Sequence, residues 1–156
     1  MRKVVLSVSK NDKKWIEGNL IDIQYIADFF TTVLNQVRPV KKSVTHRLKI
    51  IPVDCAYSYY DFSESLFIAK KNSDFKGKQQ KLRIIEDLFH EFGHYVQHKI
   101  DRLPVARFAV DHEETSYTSY FKNKTEVQAR SFGRLAKVCL ESLTQIRKIK
   151  RHLQKL

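Results

Sequence analysis

The sequence has few of the residues that break or cross-link a fold: 2 cysteines, 3 prolines and 4 glycines in 156 residues. Cys55 and Cys139 lack the spacing of a zinc knuckle or a disulfide framework, so we expect two reduced core thiols in a cytoplasmic protein. Because 42% of the residues are hydrophobic, a disordered or low-complexity chain is excluded. We expect a single, helix-rich globular domain over residues 1–156.

Long apolar runs are also missing. The apolar stretch near the N-terminus, Val4 to Val8, has five residues. Such a stretch is too short for a signal peptide and far too short to span a membrane. We therefore expect neither.

Acidic residues are in the minority: 17 Asp and Glu stand against 29 Lys and Arg, which gives a net charge of +12. This surplus favours acidic partners, nucleic acid first among them, although no groove-binding or single-strand motif is visible. The cations are spread along the chain, with denser runs at residues 70–81 and 147–152. The alternatives are a solvated basic surface and a non-specific contact with nucleic acid.

Residues 86–98, EDLFHEFGHYVQH, contain a His-Glu-x-x-His motif. On an α-helix, His90 and His94 lie one turn apart on one face, so their rings can converge on a single zinc ion. Glu91 lies about 100° further round the helix. From there its carboxylate can flank the metal without binding it and accept a proton from the attacking water.

The residues around this motif have the period of a helix from about residue 79 to residue 99. Apolar side chains recur every three or four positions and predict a core-facing stripe of Leu82, Ile85, Phe89, Phe92 and Val96. Gly93 in the middle of the helix costs about 1 kcal/mol relative to alanine. We therefore expect another segment to approach its backbone closely.

Earlier elements follow from the same kind of pattern. Helical spacing predicts a helix over Leu20–Val37, ended by Pro39, and alternation predicts a half-exposed strand over Val44–Val53. Residues 54–61 predict a second strand or an ordered loop, and residues 65–70 a short strand. If residues 65–70 or a neighbour form a sheet edge, an extended peptide can pair with that edge and be held across the zinc. The alternative is an ordinary sheet strand.

A catalytic zinc has three protein ligands and one open position, so a third ligand must come from outside the motif. The candidates are His98, Asp111, His112, Glu113, Glu114 and Glu126. His98 is two helical turns from His90, about 12 Å along the axis, and cannot easily reach the same ion. His46 fits a strand residue at the core edge better than a ligand.

Glu126 is the favoured third ligand. It begins a long helical pattern, and the small Ala129 on the adjoining face allows two helices to pack closely around a metal. His112 stays in view as the alternative, within a polar stretch that reads as a loop with an N-cap.

Residues 90–94 (HEFGH) and 126–132 (EVQARSF) resemble the His-Glu-x-x-His and Glu-x-x-Ala-x-x-Phe elements of small gluzincin metallopeptidases, especially the ImmA/IrrE-like group of phages, mobile elements and bacteria. The resemblance implies an α+β, minimal zincin-like fold: an N-terminal helix, a small twisted sheet, an active-site helix and a ligand-bearing C-terminal helix. It implies Zn²⁺ held by His90, His94 and Glu126. With Glu91 as general base, it also implies hydrolysis of peptide bonds in an intracellular protein.

The chain departs from larger gluzincins in one respect. Those proteins often carry an acidic residue shortly after the ligand glutamate, which orients a zinc-binding histidine, whereas this chain has Arg130 four residues on. We therefore expect Asp87 or a backbone carbonyl to orient the histidine.

The chain is also similar to SprT-like proteases, which act on DNA-bound proteins and use a third histidine. His112 lies eighteen residues after His94, and the net charge would suit such a substrate.

Peptide hydrolysis also needs a hydrogen-bond donor for the oxyanion. We favour Tyr117 or Tyr120, with Tyr95 and His112 as other candidates. The alternative is that these tyrosines are buried packing residues.

The apolar stripe from Leu135 to Leu156 predicts a long last helix that covers the domain's own core or, less simply, pairs with another copy or a partner. A non-enzymatic alternative also remains, a basic nucleic-acid or protein-binding module with a vestigial metal site.

Overall fold

The computed structural model describes residues 1–16, 20–70, 77–105 and 123–155. These residues form helices and a four-stranded mixed sheet, so the expected α+β class is confirmed. In chain order the elements are β1 (Arg2–Val8), a 3-10 turn (Lys10–Asp12), α1 (Lys13–Ile16), α2 (Leu20–Val37), β2 (Val44–Val53), β3 (Tyr59–Tyr60), β4 (Ser65–Ala69), α3 (Lys78–Tyr95), a π-helical turn (Val96–Ile100) and α4 (Lys124–Leu153).

The expectation that the fold begins with a helix is wrong, because strand β1 comes first. Val4 and Leu6 are buried, and β1 pairs in parallel with β2, with Leu6 opposite Leu48. The strand is hard to recognise from sequence because Val4, Val5 and Leu6 are consecutive apolar residues that hide the alternation. Its pairing with a strand some forty residues away decides its structure.

The strand order is β1-β2-β4-β3, so residues 65–70 are an ordinary internal strand, and of the expected edge positions the neighbour β3 is the one at an edge. Strand β4 lies inside the sheet, parallel to β2 and antiparallel to β3, with Tyr60 opposite Leu66. The chain turns back within residues 54–61, and the short strand formed there covers β4. The edges of this sheet are β1 and the neighbouring β3.

Two side-chain amides of α2 bind the outer edge of β1. The Leu6 N–H donates to Gln24 Oε1 at 2.9 Å, and Gln24 Nε2 donates to the Val4 carbonyl at 2.8 Å. Asn35 makes the same pair of bonds with the N–H and the carbonyl of Arg2, at 2.8 and 2.9 Å. These amides take the place of a further strand and reduce the tendency of the edge to pair with other chains.

The core lies between the sheet and helices α2, α3 and α4. Phe30 of α2 is at its centre, with ring centroids 5.5 Å from Phe89 of α3 and 5.0 Å from Phe132 of α4. The predicted core stripe of the motif helix is confirmed at Ile85, Phe89 and Phe92, which are fully buried. Burial of this face turns the histidine face of α3 towards α4.

Helix α4 is long, as expected, but only its first part covers the core. Ala136 and Leu140 are buried, whereas Ile146, Ile149 and Leu153 are exposed. Leu143 is half-buried and still packs against the core, so the change from buried to exposed apolar side chains comes after this residue.

Both cysteines are free, but the expectation that both are core residues is wrong for Cys55. Cys55 is exposed because it lies in the bend between β2 and β3, where its thiol donates to the Tyr57 carbonyl. Cys139 is half-buried and packs against the core.

Among the described residues, no helix combines the length and apolar character needed to cross a membrane.

Candidate metal centre

The two histidines of α3 lie on one face, as their spacing predicts. The rings of His90 and His94 are 4.9 Å apart between centroids and nearly perpendicular, at 81°. The His94 side chain is buried, whereas 19% of the His90 side chain is exposed. The pair therefore has one enclosed member and one that faces solvent.

Helices α3 and α4 approach each other closely beside this pair. A Cβ placed on Gly93 would lie 2.9 Å from the Ala129 Cα and 3.1 Å from Phe132 Cδ2. On α4, a Cβ on Gly133 would lie 2.5 Å from the carbonyl oxygen of Glu86. The expected close approach at Gly93 is confirmed, and Ala129 is the small residue that meets it.

Glu126 lies in the first turn of α4, where the carboxylate suits the positive end of the helix dipole. The helix begins at the N-cap Asn123, whose side chain accepts a hydrogen bond from the Thr125 N–H at 2.8 Å. The Glu126 side chain is only 1% exposed and points at the two histidines. Its Oε2 is 3.2 Å from His90 Nε2, and its Oε1 is 3.2 Å from His94 Nε2.

The three side chains could together hold a metal ion, since one donor atom from each of His90, His94 and Glu126 lies within 4.8 Å of the others. Burial raises the pKa of Glu126, but hydrogen bonding and charge attraction from His90 and His94 outweigh it and hold the pKa far below its usual range. The group is therefore an anionic carboxylate between two imidazoles. Such a set of N and O donors is typical of a zinc site.

Glu91 lies next to this group on α3 and is 7% exposed. Burial raises its pKa to about 7, against the opposing pull of His90 and His94. For His94, burial lowers the pKa, but the contact with Glu126 outweighs it, so the pKa is raised. A carboxyl group with such a pKa can both accept and release a proton near neutral pH.

Gln97 is the residue of this centre that sequence reasoning missed. Its Oε1 lies 3.0 Å from His94 Nδ1, and its Nε2 donates to the Thr125 carbonyl at 2.8 Å. For His94 this contact with Gln97 stands where we expected Asp87 or a backbone carbonyl, and Asp87 pairs with Arg83 at 3.1 Å. Gln97 lies three residues after His94, on the same face of the helix, and this spacing is the signal that could have identified it.

His46, His98 and Tyr95 have partners away from the three ligand candidates. His98 Nδ1 is 2.9 Å from the Tyr60 hydroxyl, and His46 Nδ1 is 2.7 Å from the Tyr95 hydroxyl. His46 is half-buried on β2, as expected for a strand residue at the core edge. Within the described ranges neither histidine joins the metal-binding group.

Several sequence predictions fall outside the described residues. These are the oxyanion candidates Tyr117 and Tyr120 and the alternative ligand His112, together with Asp111, Glu113 and Glu114. Comparison of the chain with protein-family models, with curated proteins and with solved structures finds no match.

Proposed function

We propose that the protein is a zinc-dependent metallopeptidase of the gluzincin type, with a minimal zincin-like fold. The observation that carries the proposal is the convergence of His90 Nε2 and His94 Nε2 on the Glu126 carboxylate, each at 3.2 Å. Two ligands on one helix and a third on a neighbouring helix are the arrangement that the sequence resemblance implies.

The spacing of the donor atoms suits zinc. With bonds of about 2.0 to 2.1 Å and tetrahedral geometry, two ligand atoms of one zinc ion lie about 3.3 Å apart. Each histidine lies close to that distance from one oxygen of Glu126, at 3.2 Å, and a set of one donor atom from each residue lies within 4.8 Å. The buried negative charge of Glu126 adds electrostatic attraction for a cation, and the partial exposure of His90 leaves one side for water and substrate.

In this proposal Glu91 is the general base. A bound zinc ion would supply a water molecule of lowered pKa and polarise the scissile carbonyl. Glu91, which is beside the ligands but not among them, accepts the proton of the attacking water on its carboxylate and passes it to the leaving amine. Tyr117 and Tyr120 remain the predicted oxyanion donors.

The substrate is an extended segment of an intracellular protein, and the enzyme acts in the cytoplasm. The outer edge of β1 is already hydrogen-bonded to Gln24 and Asn35. Of the described strands, β3 is therefore the edge that a peptide can pair with, and its residue Tyr60 lies 5.9 Å from Tyr95 of α3 between ring centroids. The two free thiols suit a reducing compartment.

The first test is the zinc content of the purified protein by elemental analysis. We expect about one zinc per wild-type chain, loss of zinc in Glu126→Ala and retention in His112→Ala. Loss in His112→Ala and retention in Glu126→Ala would favour the SprT-like alternative. A wild-type protein that binds no zinc even after reconstitution would contradict both and leave a basic binding module.

A further inference from the structure

We propose that Gln97 is a positioning residue of the metal centre, whose amide fixes the ring of His94 and ties it to α4 beside Glu126. The inference rests on the proposed function, because it takes His94 and Glu126 to be zinc ligands. It adds that the two ligands are held as one unit by a single side chain.

The first part of the argument is the bond to His94. The Gln97 side-chain oxygen can only accept a hydrogen bond, so the 3.0 Å contact with His94 Nδ1 requires a proton on that nitrogen. Nε2 faces the Glu126 carboxylate at 3.2 Å and donates to it in the metal-free protein. When a metal takes the place of that proton, the proton on Nδ1 leaves the lone pair of Nε2 for the metal. Gln97 thus selects both the tautomer and the orientation of the ring.

The second part is the bond to α4. Gln97 Nε2 donates to the carbonyl of Thr125 at 2.8 Å and to Gln128 Oε1 at 3.2 Å. Thr125 directly precedes Glu126, so the position of the third ligand is linked through one amide to the ring of His94.

The amide has one satisfactory orientation. Gln97 is 2% exposed, and its oxygen and its nitrogen both have partners. If the amide were flipped, its oxygen would face two other acceptors, the Thr125 carbonyl and the Gln128 Oε1. The backbone is held as well, since Gln97 lies in the π-helical turn and its carbonyl accepts the Leu103 N–H at 2.9 Å.

The test compares two substitutions by competition with a zinc chelator. Gln97→Leu removes both bonds, and we expect zinc affinity to fall about 10- to 100-fold, as for other residues that support a metal ligand. Gln97→Glu can still accept from His94 but cannot donate to Thr125. We expect its zinc affinity to lie closer to wild type than that of the leucine variant.

Gln24→Leu is the matched control. Gln24 is also a helical glutamine whose amide holds two backbone groups, but those groups are on β1. We expect the control to lower the thermal stability of the metal-free protein and to keep zinc affinity within about twofold of wild type, because distant sites act independently.

A spectroscopic readout separates positioning from general packing. In the zinc-loaded wild type, ¹⁵N-edited NMR should show a protected His94 Nδ1–H, and this signal should be lost in Gln97→Leu and kept in Gln97→Glu. Unchanged affinity with an unchanged signal in Gln97→Leu would overturn the inference, as would equal losses of affinity in both variants. If Gln97→Leu does not fold, a loss of more than about tenfold in the glutamate variant overturns it. Failure of the wild type to bind zinc would instead refute the proposed function.

Discussion

Gly93 and Ala129 bring α3 and α4 so close that a Cβ at position 93 would lie 2.9 Å from the Ala129 Cα. The contact is with backbone, which cannot rotate away as the end of a flexible side chain can. The same contact sets the distance between the helices that carry His94 and Glu126, so the packing of two small residues also sets the spacing of the ligand candidates.

We expect Gly93→Ala to destabilise the protein even though alanine is the better helix former. Overpacking typically costs about 1 to 3 kcal/mol, against about 1 kcal/mol gained in helix propensity. Denaturant unfolding measures the net effect, and zinc affinity should fall with it. Adding Ala129→Gly should not rescue the variant, because the nearest atom is the Cα of residue 129. A stabilised Gly93→Ala protein would contradict this packing.

Asp22 predicts a loss of stability in acid. Its side chain is 1% exposed and paired with Arg147 and Lys81. Burial raises the pKa of Asp22, but hydrogen bonds and charge attraction from Arg147 and Lys81 outweigh it, so the folded-state pKa lies below the usual value for an aspartate. A lowered folded pKa contributes stability above the unfolded pKa and loses it as the pH falls through the folded pKa.

The measurement is urea unfolding between pH 7 and pH 3. We expect Asp22→Asn to cost about 1 to 3 kcal/mol at pH 7, less than for a fully buried pair because Arg147 is half exposed. The variant should also lose less stability than wild type below about pH 4. Asp28→Asn, an exposed carboxylate on the same helix, should change neither quantity much. Parallel pH profiles for wild type and Asp22→Asn would refute the pairing.

Glu91→Gln should separate metal binding from catalysis. The amide is nearly isosteric but cannot accept the proton of the attacking water, so we expect kcat for peptide hydrolysis to fall about 100-fold or more, with zinc content and KM little changed. Glu86→Gln is the control, since Glu86 lies on the same helix and pairs with Lys137 at 3.3 Å. Hydrolysis that survives in Glu91→Gln would assign the base elsewhere.

Removing zinc should lower the melting temperature. A ligand at a hundred times its Kd stabilises the state that binds it by about 2.7 kcal/mol, so adding a chelator should reverse a stabilisation of that order. Glu126→Ala should show no shift with either zinc or chelator. An equal chelator effect in wild type and Glu126→Ala would place the metal elsewhere.

The α2 side-chain amides that bind β1 should limit the association of the protein with itself. Replacing both Gln24 and Asn35 by leucine leaves peptide groups of β1 without their partners, and unsatisfied groups cost about 1 to 3 kcal/mol each. We expect lower stability and increased light scattering at high protein concentration. Gln36→Leu adds apolar surface to the same helix without uncovering β1 and should scatter like wild type.

Local pattern was enough to predict some elements and not others. Leu20–Val37 and Val44–Val53 have clear periods, and the structure gives both elements these limits. Strand β1 and the internal position of β4 depend on pairing between distant segments, which a period does not contain.

Some residues of the candidate site could likewise be predicted from local spacing, whereas others depend on contacts between distant segments. One helix brings His90 and His94 together, so their spacing alone predicts their proximity. Glu126 was reached through the packing of a second helix and a family resemblance, and the structure brings its carboxylate to the two histidines. Gln97 was missed because its role depends on a carbonyl of α4, 28 residues along the chain.

The bond between Asp22 and Arg147 spans 125 residues. During synthesis the aspartate emerges early and the arginine late, with Lys81 between them as a partial counter-charge. Helix α2 therefore cannot bury this carboxylate at low cost until α4 has been made. The amides of Gln24 and Asn35 can already hold α2 on β1 at that stage, so the pairing of Asp22 with Arg147 completes a contact between elements that are otherwise in place.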